Sequence, residues 1–259
     1  MSAIVMDPGA LTLVVPPERA LDRASIGLAN ALLGNPDSAP GLEVLVGGLR
    51  LRFVTGTAIS VSGAEGLVKL NGSELTMNKA IRVAPGAVLE FGRALFGIRY
   101  YLAVQGGIEH QADALHTGRT LTFGRPHGHG FPSVNQPPRR ALDSERPVVA
   151  RIAPGPDSQK YDAGTWLRLT TEPWILSPES DRVGARLAGR PLPDPDTTPA
   201  PGTQPLVPGS VLLPPSGLPV IALADHPATS ESPVIAVVRD EDLDSLGQAR
   251  PGQMVHLLG

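Results

Sequence analysis

The sequence predicts a mainly β chain built as two modules, with a few short helices. Three observations carry that expectation. Proline and glycine are plentiful, at 28 and 29 of 259 residues, without a collagen-like period. Beside many Val and Leu runs, this means short strands joined by tight turns. Several runs alternate apolar and polar residues with period two. Finally, Pro-Gly followed by a small or polar residue and then apolar ones recurs at "APGAVLEF", "VPGSVLLP" and "RPGQMVHLL". Pro at the second and Gly at the third position suit a type II turn entering a strand. The turns at Pro85 and Pro251 fall late in each half, which hints at two similar modules.

The first element is a helix at about 22–33, in "LDRASIGLANALLGN". Asp22 is the N-cap candidate. Ile26, Ala29 and Leu33 make an apolar stripe that Leu28 and Leu32 widen, and Gly34 stands at the stop position. Strands follow. "GLEVLVGGLRLRFV" buries Leu49, Leu51 and Phe53 and exposes Arg50 and Arg52. "TAISVSGA" and "GLVKLNGSEL" come next, the latter with an Asn71-Gly72 hairpin turn. "IRVAPGAVLEFG" turns at Pro85-Gly86, and "GIRYYLAVQGGI" ends at Gly106-Gly107.

Periodicity fades over about 109–146, where Pro, Gly and His accumulate. The expected organisation is an N-terminal module at 1–124, a linker at 125–146 and a C-terminal module at 147–259. The second module opens with "PVVARIAPGP" and continues through "PWILSPESDRVGARLAG". The Pro-rich loop "RPLPDPDTTPAPGTQP" precedes the strands "GSVLLPPSGLPVIALAD" and "SPVIAVV". "DEDLDSLGQ" reads as a short helix capped by Asp240 or Asp242, and "RPGQMVHLL" is the last strand.

Composition narrows the function classes. At 41% hydrophobic and 18% charged residues, the chain is globular and not disordered. Its net charge of −3, with scattered Lys and Arg, argues against a nucleic-acid partner. There is no cysteine, which removes disulfides and thiolate chemistry and fits a cytoplasmic location. The N-terminus lacks a basic segment and is broken by Asp7-Pro8-Gly9, so it does not read as a signal peptide. No apolar run approaches the roughly 18 residues of a membrane span.

Several catalytic signatures are missing: a phosphate-binding P-loop, H-E-x-x-H and G-x-S-x-G. His127 and His129 in "PHGHGF" would share a face on a strand and suit a metal. No acidic residue completes a set there, a loop is the alternative, and no metal site is expected. His110 and His116 lie in the same loose zone. In "SPESDRVGARL", Asp181, Arg182 and Arg186 surround Gly184. Guanidinium forks suit carboxylate or phosphate, although an exposed Asp–Arg turn has the same sequence. In "LADHPATSESPVIAVV", Asp225, His226 and Thr229 offer an acid, a base and a hydroxyl. Spacing alone reads that stretch as a polar loop between strands.

Larger blocks carry a resemblance. "ALDRASIGLANALLGNPDSAPGLEVLVGG", "VAPGAVLEFG", "GIRYYLAVQGGI", "SPESDRVGARLAGRPL" and "LVPGSVLLPPSGLPVIALADHPATSESPVIAVV" resemble the biotin-dependent carboxyltransferase family. That family includes allophanate hydrolase subunit 2, the C subunit of bacterial 5-oxoprolinase, the KipA antagonist of a sporulation-kinase inhibitor, and part of urea carboxylase. The resemblance implies two linked cyclophilin-like β-barrels. It also implies an ATP-dependent complex, with or without Mg, that opens 5-oxoproline to glutamate. The implied partners are a KipI-type sister subunit and a LamB/YcsF-type lactam hydrolase subunit, and the chain is not expected to act alone. Asp225 and Thr229 are then the catalytic candidates. Asp181, Arg182, Arg186, Asn30 and His226 are the substrate-binding ones, and Asp22 is a further pocket candidate with helix capping as its alternative. The resemblance also implies two other readings: carboxyl transfer to a urea-like amide, and KipA-type regulation without catalysis. "MNKA" at 77–80 is not a biotin-attachment sequence, so biotin would reside on another protein.

The departures from the family are specific. The family's V-Q-D-L-G-R-P-G and L-G-V-P segments are absent before the first helix. "HTGRT" stands where G-S-R-S-T-D normally follows "GGI". The family's A-D-x-x-T-T-G-G-Y-P is "ADHPATSESP" here. Asp225, Thr229 and Pro233 match, whereas Ser230-Glu231-Ser232 replace Gly-Gly-Tyr. Glycines allow backbone shapes and close approach that Ser and Glu do not, and Glu231 adds a negative charge.

Overall fold

A computed structural model describes the chain except residues 110–113, 127–129, 135–141, 144 and 194–203. His110, His127, His129 and most of the Pro-rich loop lie outside the described residues. The chain divides into two compact units, Met1–Leu142 and Asp143–Gly259. The division falls inside the stretch 125–146 that the sequence reads as a linker.

In the first unit, a nine-stranded sheet is antiparallel throughout. Its path runs Leu11–Val15, Gly41–Leu45, Val88–Val104, Leu49–Phe53, Ser2–Pro8, Thr120–Thr122. Thr57–Leu70 also pairs with Val88–Val104 and carries two short strands, Ser73–Glu74 and Ile81–Val83. The expected barrel is here a curled sheet: its end strand Leu11–Val15 bridges Ala114 from Leu13, and a further bridge joins Ile108 to Phe123, just past Thr120–Thr122.

Two runs that read as separate strands are single long ones. Thr57–Leu70 and Val88–Val104 stay paired through register shifts at Gly63/Glu65, Glu65/Gly66 and Gly66/Val68. Bulges absorb the breaks in alternation that made the sequence look interrupted.

The helix α1 spans Arg23–Leu33, with Asp22 as N-cap and Gly34 in the left-handed conformation after it. It covers one face of the sheet. Ile26 packs with Val15, Ala20 and Tyr101, while Ala29 and Leu33 pack with Ala58 and Ala103. Tyr100 and Leu102 point to the opposite face, into the main core with Phe53, Leu51 and Leu89. Burial on both faces is why "YYLAV" shows no polar alternation.

The second unit contains a closed seven-stranded barrel. Its order is Val148–Pro154, Val234–Val238, Ser210–Leu212, Val220–Ala222, Gly184–Ala188, Trp174–Leu176, Met254–Leu258. Closure comes from a parallel pairing of Val148–Arg151 with Val255–Leu258. Closing the sheet removes its edges. A helix absent from the sequence reading, α2 (Ala163–Thr171), is capped by Asp162, whose carboxylate accepts from Thr165 N. The indole of Trp174, fully buried, donates to Leu169 O at the end of this helix.

The last helix, α3 (Asp240–Gly247), corrects an expectation. Arg239 is its N-cap, without a side-chain bond, and Asp240 and Asp242 lie inside the first turn. Asp242 is occupied elsewhere, accepting from Arg151 N, Nε and Nη2 at 2.8 Å each. Acids in the first turn still oppose the helix dipole favourably.

All three Pro-Gly repeats form the same turn. Gly86, Gly209 and Gly252 have φ of 82°, 89° and 86°. The bonds Ala87 N→Ala84 O, Ser210 N→Val207 O and Gln253 N→Arg250 O close them. At Gly252 an added Cβ meets nothing within 4 Å, whereas at Gly209 it would stand 2.9 Å from Val238 O. Gly252→Ala is therefore expected to cost only the left-handed backbone, about 1 kcal/mol, and Gly209→Ala clearly more. Urea midpoints of the two variants test the order; equal midpoints would refute it.

Candidate functional site

In the second unit, two loops meet at one end of the barrel. The first is the turn before Gly184–Ala188. Asp181 N donates to Gly184 O, and Asp181 Oδ1 accepts from Val183 N at 2.8 Å and Gly184 N at 3.0 Å. This tight turn holds Arg182 at its tip. The second is the loop after Val220–Ala222. Arg182 Nε donates to Asp225 Oδ2 at 2.7 Å and Nη2 to Oδ1 at 3.3 Å. Asp225 N returns to Arg182 O at 2.9 Å.

That geometry gives the residues singled out from sequence definite partners. Arg182, expected to receive an anion, turns its fork to Asp225, and the two side chains are 11% and 28% exposed. Asp225 and Arg182 form a brace between loops, and Asp181 spends an oxygen on its own turn. Arg186 is exposed on the strand Gly184–Ala188, opposite Val220. Its backbone ties to Ser177 and Ser180, through Arg186 O and Arg186 N.

The rest of the loop is fixed at intervals. His226 Nδ1 lies 2.7 Å from Pro227 O. A carbonyl only accepts, so Nδ1 is the donating nitrogen of this contact. Thr229–Ser230 pairs with Gln204–Pro205. Ser230 Oγ accepts from Ser232 N at 3.0 Å, closing a turn with Glu231 exposed at its tip. Ser230-Glu231-Ser232 thus builds its turn from a side-chain bond, without glycine.

Asp157, missed from sequence, anchors the far end of the loop. It is buried, accepts from Val234 N at 2.8 Å, and pairs with Lys160 at 2.7 Å.

In the first unit, a cavity of about 590 Å³ opens beside α1. Asp22, Ser25, Ser62, Glu65, Glu74, Thr76 and Asn78 are its polar lining, with Leu28, Met77 and Phe96 among the apolar residues. Asp22 caps the helix through Ser25 N at 3.0 Å and also accepts from Ser25 Oγ at 2.7 Å. It both caps and lines the pocket.

Asn30 is different. It is buried, donating to Ala39 O at 2.8 Å and accepting from Asn35 Nδ2 at 2.9 Å. It braces the chain after α1 inside the first unit, whereas Asp181, Arg182, Arg186, Asp225, His226 and Thr229 belong to the second.

Behind Asp22 lies a buried polar network that sequence reasoning overlooked. Tyr101 OH donates to Glu43 Oε2 at 2.8 Å and accepts from Asp22 N at 2.8 Å. Glu43 Oε2 also accepts from Leu21 N at 3.0 Å, and its Oε1 stands 3.5 Å from Arg99 Nε. Burial, then the neighbouring carboxylates Glu43 and Asp22, push the Tyr101 hydroxyl well above its ordinary range. The one available signal was a lone acid, Glu43, within an otherwise apolar strand. Among the described residues, no three His, Cys, Asp or Glu side chains converge as a metal cluster, and no helix is long and apolar enough to cross a membrane.

A curled sheet with its helix, followed by a closed barrel with a braced loop at its end, defines a two-module protein of the carboxyltransferase class. The family described as carboxyltransferase domain, subdomain A and B, matches residues 13–258, and the chain belongs to it. It is 28% identical to the C subunit of 5-oxoprolinase from Escherichia coli over 92% of this chain and 81% of that protein. Against the C subunit of 5-oxoprolinase from Haemophilus influenzae, the identity is 30%, over 91% and 80%. Urea amidolyase of Lachancea kluyveri is 26% identical over 98% of this chain, which spans 17% of that longer protein. The crystal structure of TTHA0988 superposes with a TM-score of 0.86 at 29% identity, over 100% of this chain and 55% of that one.

Proposed function

We propose that this chain is a subunit of an ATP-dependent 5-oxoprolinase that opens the lactam of 5-oxoproline to glutamate. It works in the cytoplasm with a KipI-type sister subunit and a LamB/YcsF-type lactam hydrolase subunit. The observation that carries this reading is the alignment with the C subunit of 5-oxoprolinase along four-fifths of that protein's own length. A lactam is a poor electrophile. Opening it requires polarising or phosphorylating its oxygen and stabilising the charge that develops. On this chain Arg186 offers an exposed guanidinium on the strand Gly184–Ala188, and His226 and the Thr229 hydroxyl are the proton-handling groups in the braced loop.

ATP does not fit the residues of either candidate site as its main receptor. The pocket beside α1 is lined by Asp22, Glu65 and Glu74, which repel a triphosphate. Arg182 is already engaged with Asp225. We assign the nucleotide to a partner, and no step on this chain runs through it.

One observation favours a second reading, carboxyl transfer from carboxybiotin on a carrier protein to a urea-like amide. Asp22 and Glu74 carboxylates, and a Ser25 hydroxyl that spends its proton on Asp22, present acceptors to the pocket. Such a wall suits a ligand rich in N–H donors.

Reconstitution separates the two. The purified chain with both partners is expected to release phosphate only when 5-oxoproline is present, and to lose that release when this chain is omitted. Activity that requires a biotinylated carrier and is abolished by avidin would replace the first reading with the second.

A further inference from the structure

We infer that Tyr101 and Glu43 are positioning residues for the pocket beside α1, setting where the Asp22–Ser25 pair stands. The inference rests on the reading of this chain as a subunit of an amide- or lactam-processing enzyme with that pocket in its working surface.

The two backbone N–H groups just before α1, of Leu21 and Asp22, donate to Glu43 Oε2 and Tyr101 OH. These acceptors stand on the strands Gly41–Leu45 and Val88–Val104, far along the chain. The direction of each bond is forced. Tyr101 gives its proton to Glu43, so its lone pair is what faces Asp22 N. Arg99 at 3.5 Å supports the Glu43 carboxylate from the other side.

Capping alone does not require this network. Asp22 already caps α1 through Ser25 N, and helix caps elsewhere work without buried partners. Enclosing a glutamate, a tyrosine hydroxyl and most of an arginine incurs a desolvation cost that apolar packing would avoid. What the network adds is a fixed location for the residue carrying the Asp22 carboxylate at the cavity. It does not serve as a proton wire, because its link to Asp22 is a backbone N–H.

The test uses the reconstituted complex with Tyr101→Phe, Glu43→Gln, Asp22→Asn and the double variant Asp22→Asn/Tyr101→Phe. Tyr101→Phe and Glu43→Gln are expected to lower kcat about tenfold with KM changed less than about twofold, as a displaced group does. On the Asp22→Asn background, Tyr101→Phe should add nothing, because both changes act through one group. Independently of activity, amide exchange at Asp22 should rise about tenfold in Tyr101→Phe, while Ala29–Leu33 keep their protection. An unchanged kcat, additive losses, or unchanged exchange at Asp22 would each overturn the inference. A wild-type complex that ignores 5-oxoproline would instead sink the functional reading, and exchange at Asp22 would still decide the positioning role.

Discussion

Arg182→Ala is expected to lower the activity of the reconstituted complex at least about tenfold, with the loss traceable to the loop at Asp225. The guanidinium makes two bonds to that carboxylate from a turn held by Asp181. Removing it leaves Asp225 partly buried with its fork gone. A fully desolvated pair of this kind would couple by several kcal/mol. Asp225 is about a quarter exposed, so solvent screening brings the expectation down to about 1–2 kcal/mol. A double-mutant cycle with Asp225→Ala measures the coupling. Arg182→Lys should recover only part of the activity, because a point charge lacks the two-pronged geometry. Amide exchange over 225–232 should rise in Arg182→Ala. Full activity together with unchanged exchange would show that the brace does not shape the site.

Glu43→Ala is expected to have the largest effect on stability. It strands the Leu21 N–H and the Tyr101 hydroxyl without their acceptor and leaves Arg99 without this carboxylate. Breaking a buried charged pair by removing one partner costs about 3–5 kcal/mol, a fall of roughly 10–17 °C in melting temperature for a unit of this size. Tyr101 adds a signature at high pH. Its folded-state pKa is raised above the unfolded value near 10. The unfolded chain therefore releases this proton first, and stability present below about pH 10 is lost as pH rises beyond it. In urea titrations Tyr101→Phe should flatten that decline by up to about 1.4 kcal/mol per pH unit. The same slope in both proteins would mean that Tyr101 titrates alike folded and unfolded.

Much of the fold was readable one segment at a time. α1 needed only Asp22, an apolar stripe and Gly34. The Asn71-Gly72 turn and the three Pro-Gly turns depend on local φ preferences, which the residues themselves impose. The helix α2 escaped because Gly164 and three threonines give it poor intrinsic propensity. It is held instead by the Asp162 cap and by the Arg168–Glu172 pair along its last turn. The long strands Thr57–Leu70 and Val88–Val104 read as broken because bulges disturb the period without ending the pairing.

The sites divide in the same way. By itself the sequence determined the two-module, mainly β plan, the family, and the segments where polar residues collect between strands. Those properties are local or carried by long matching blocks. Only the tertiary structure decided what the polar residues do. Arg182 and Asp225 are 43 positions apart, and Asp22 and Tyr101 are 79 apart, so no spacing rule could pair them. Strand order brought them together, and burial set their roles. A charge out of water must find a partner. That requirement pairs Arg182 with Asp225 across two loops, and makes an unremarked glutamate the support of a helix end.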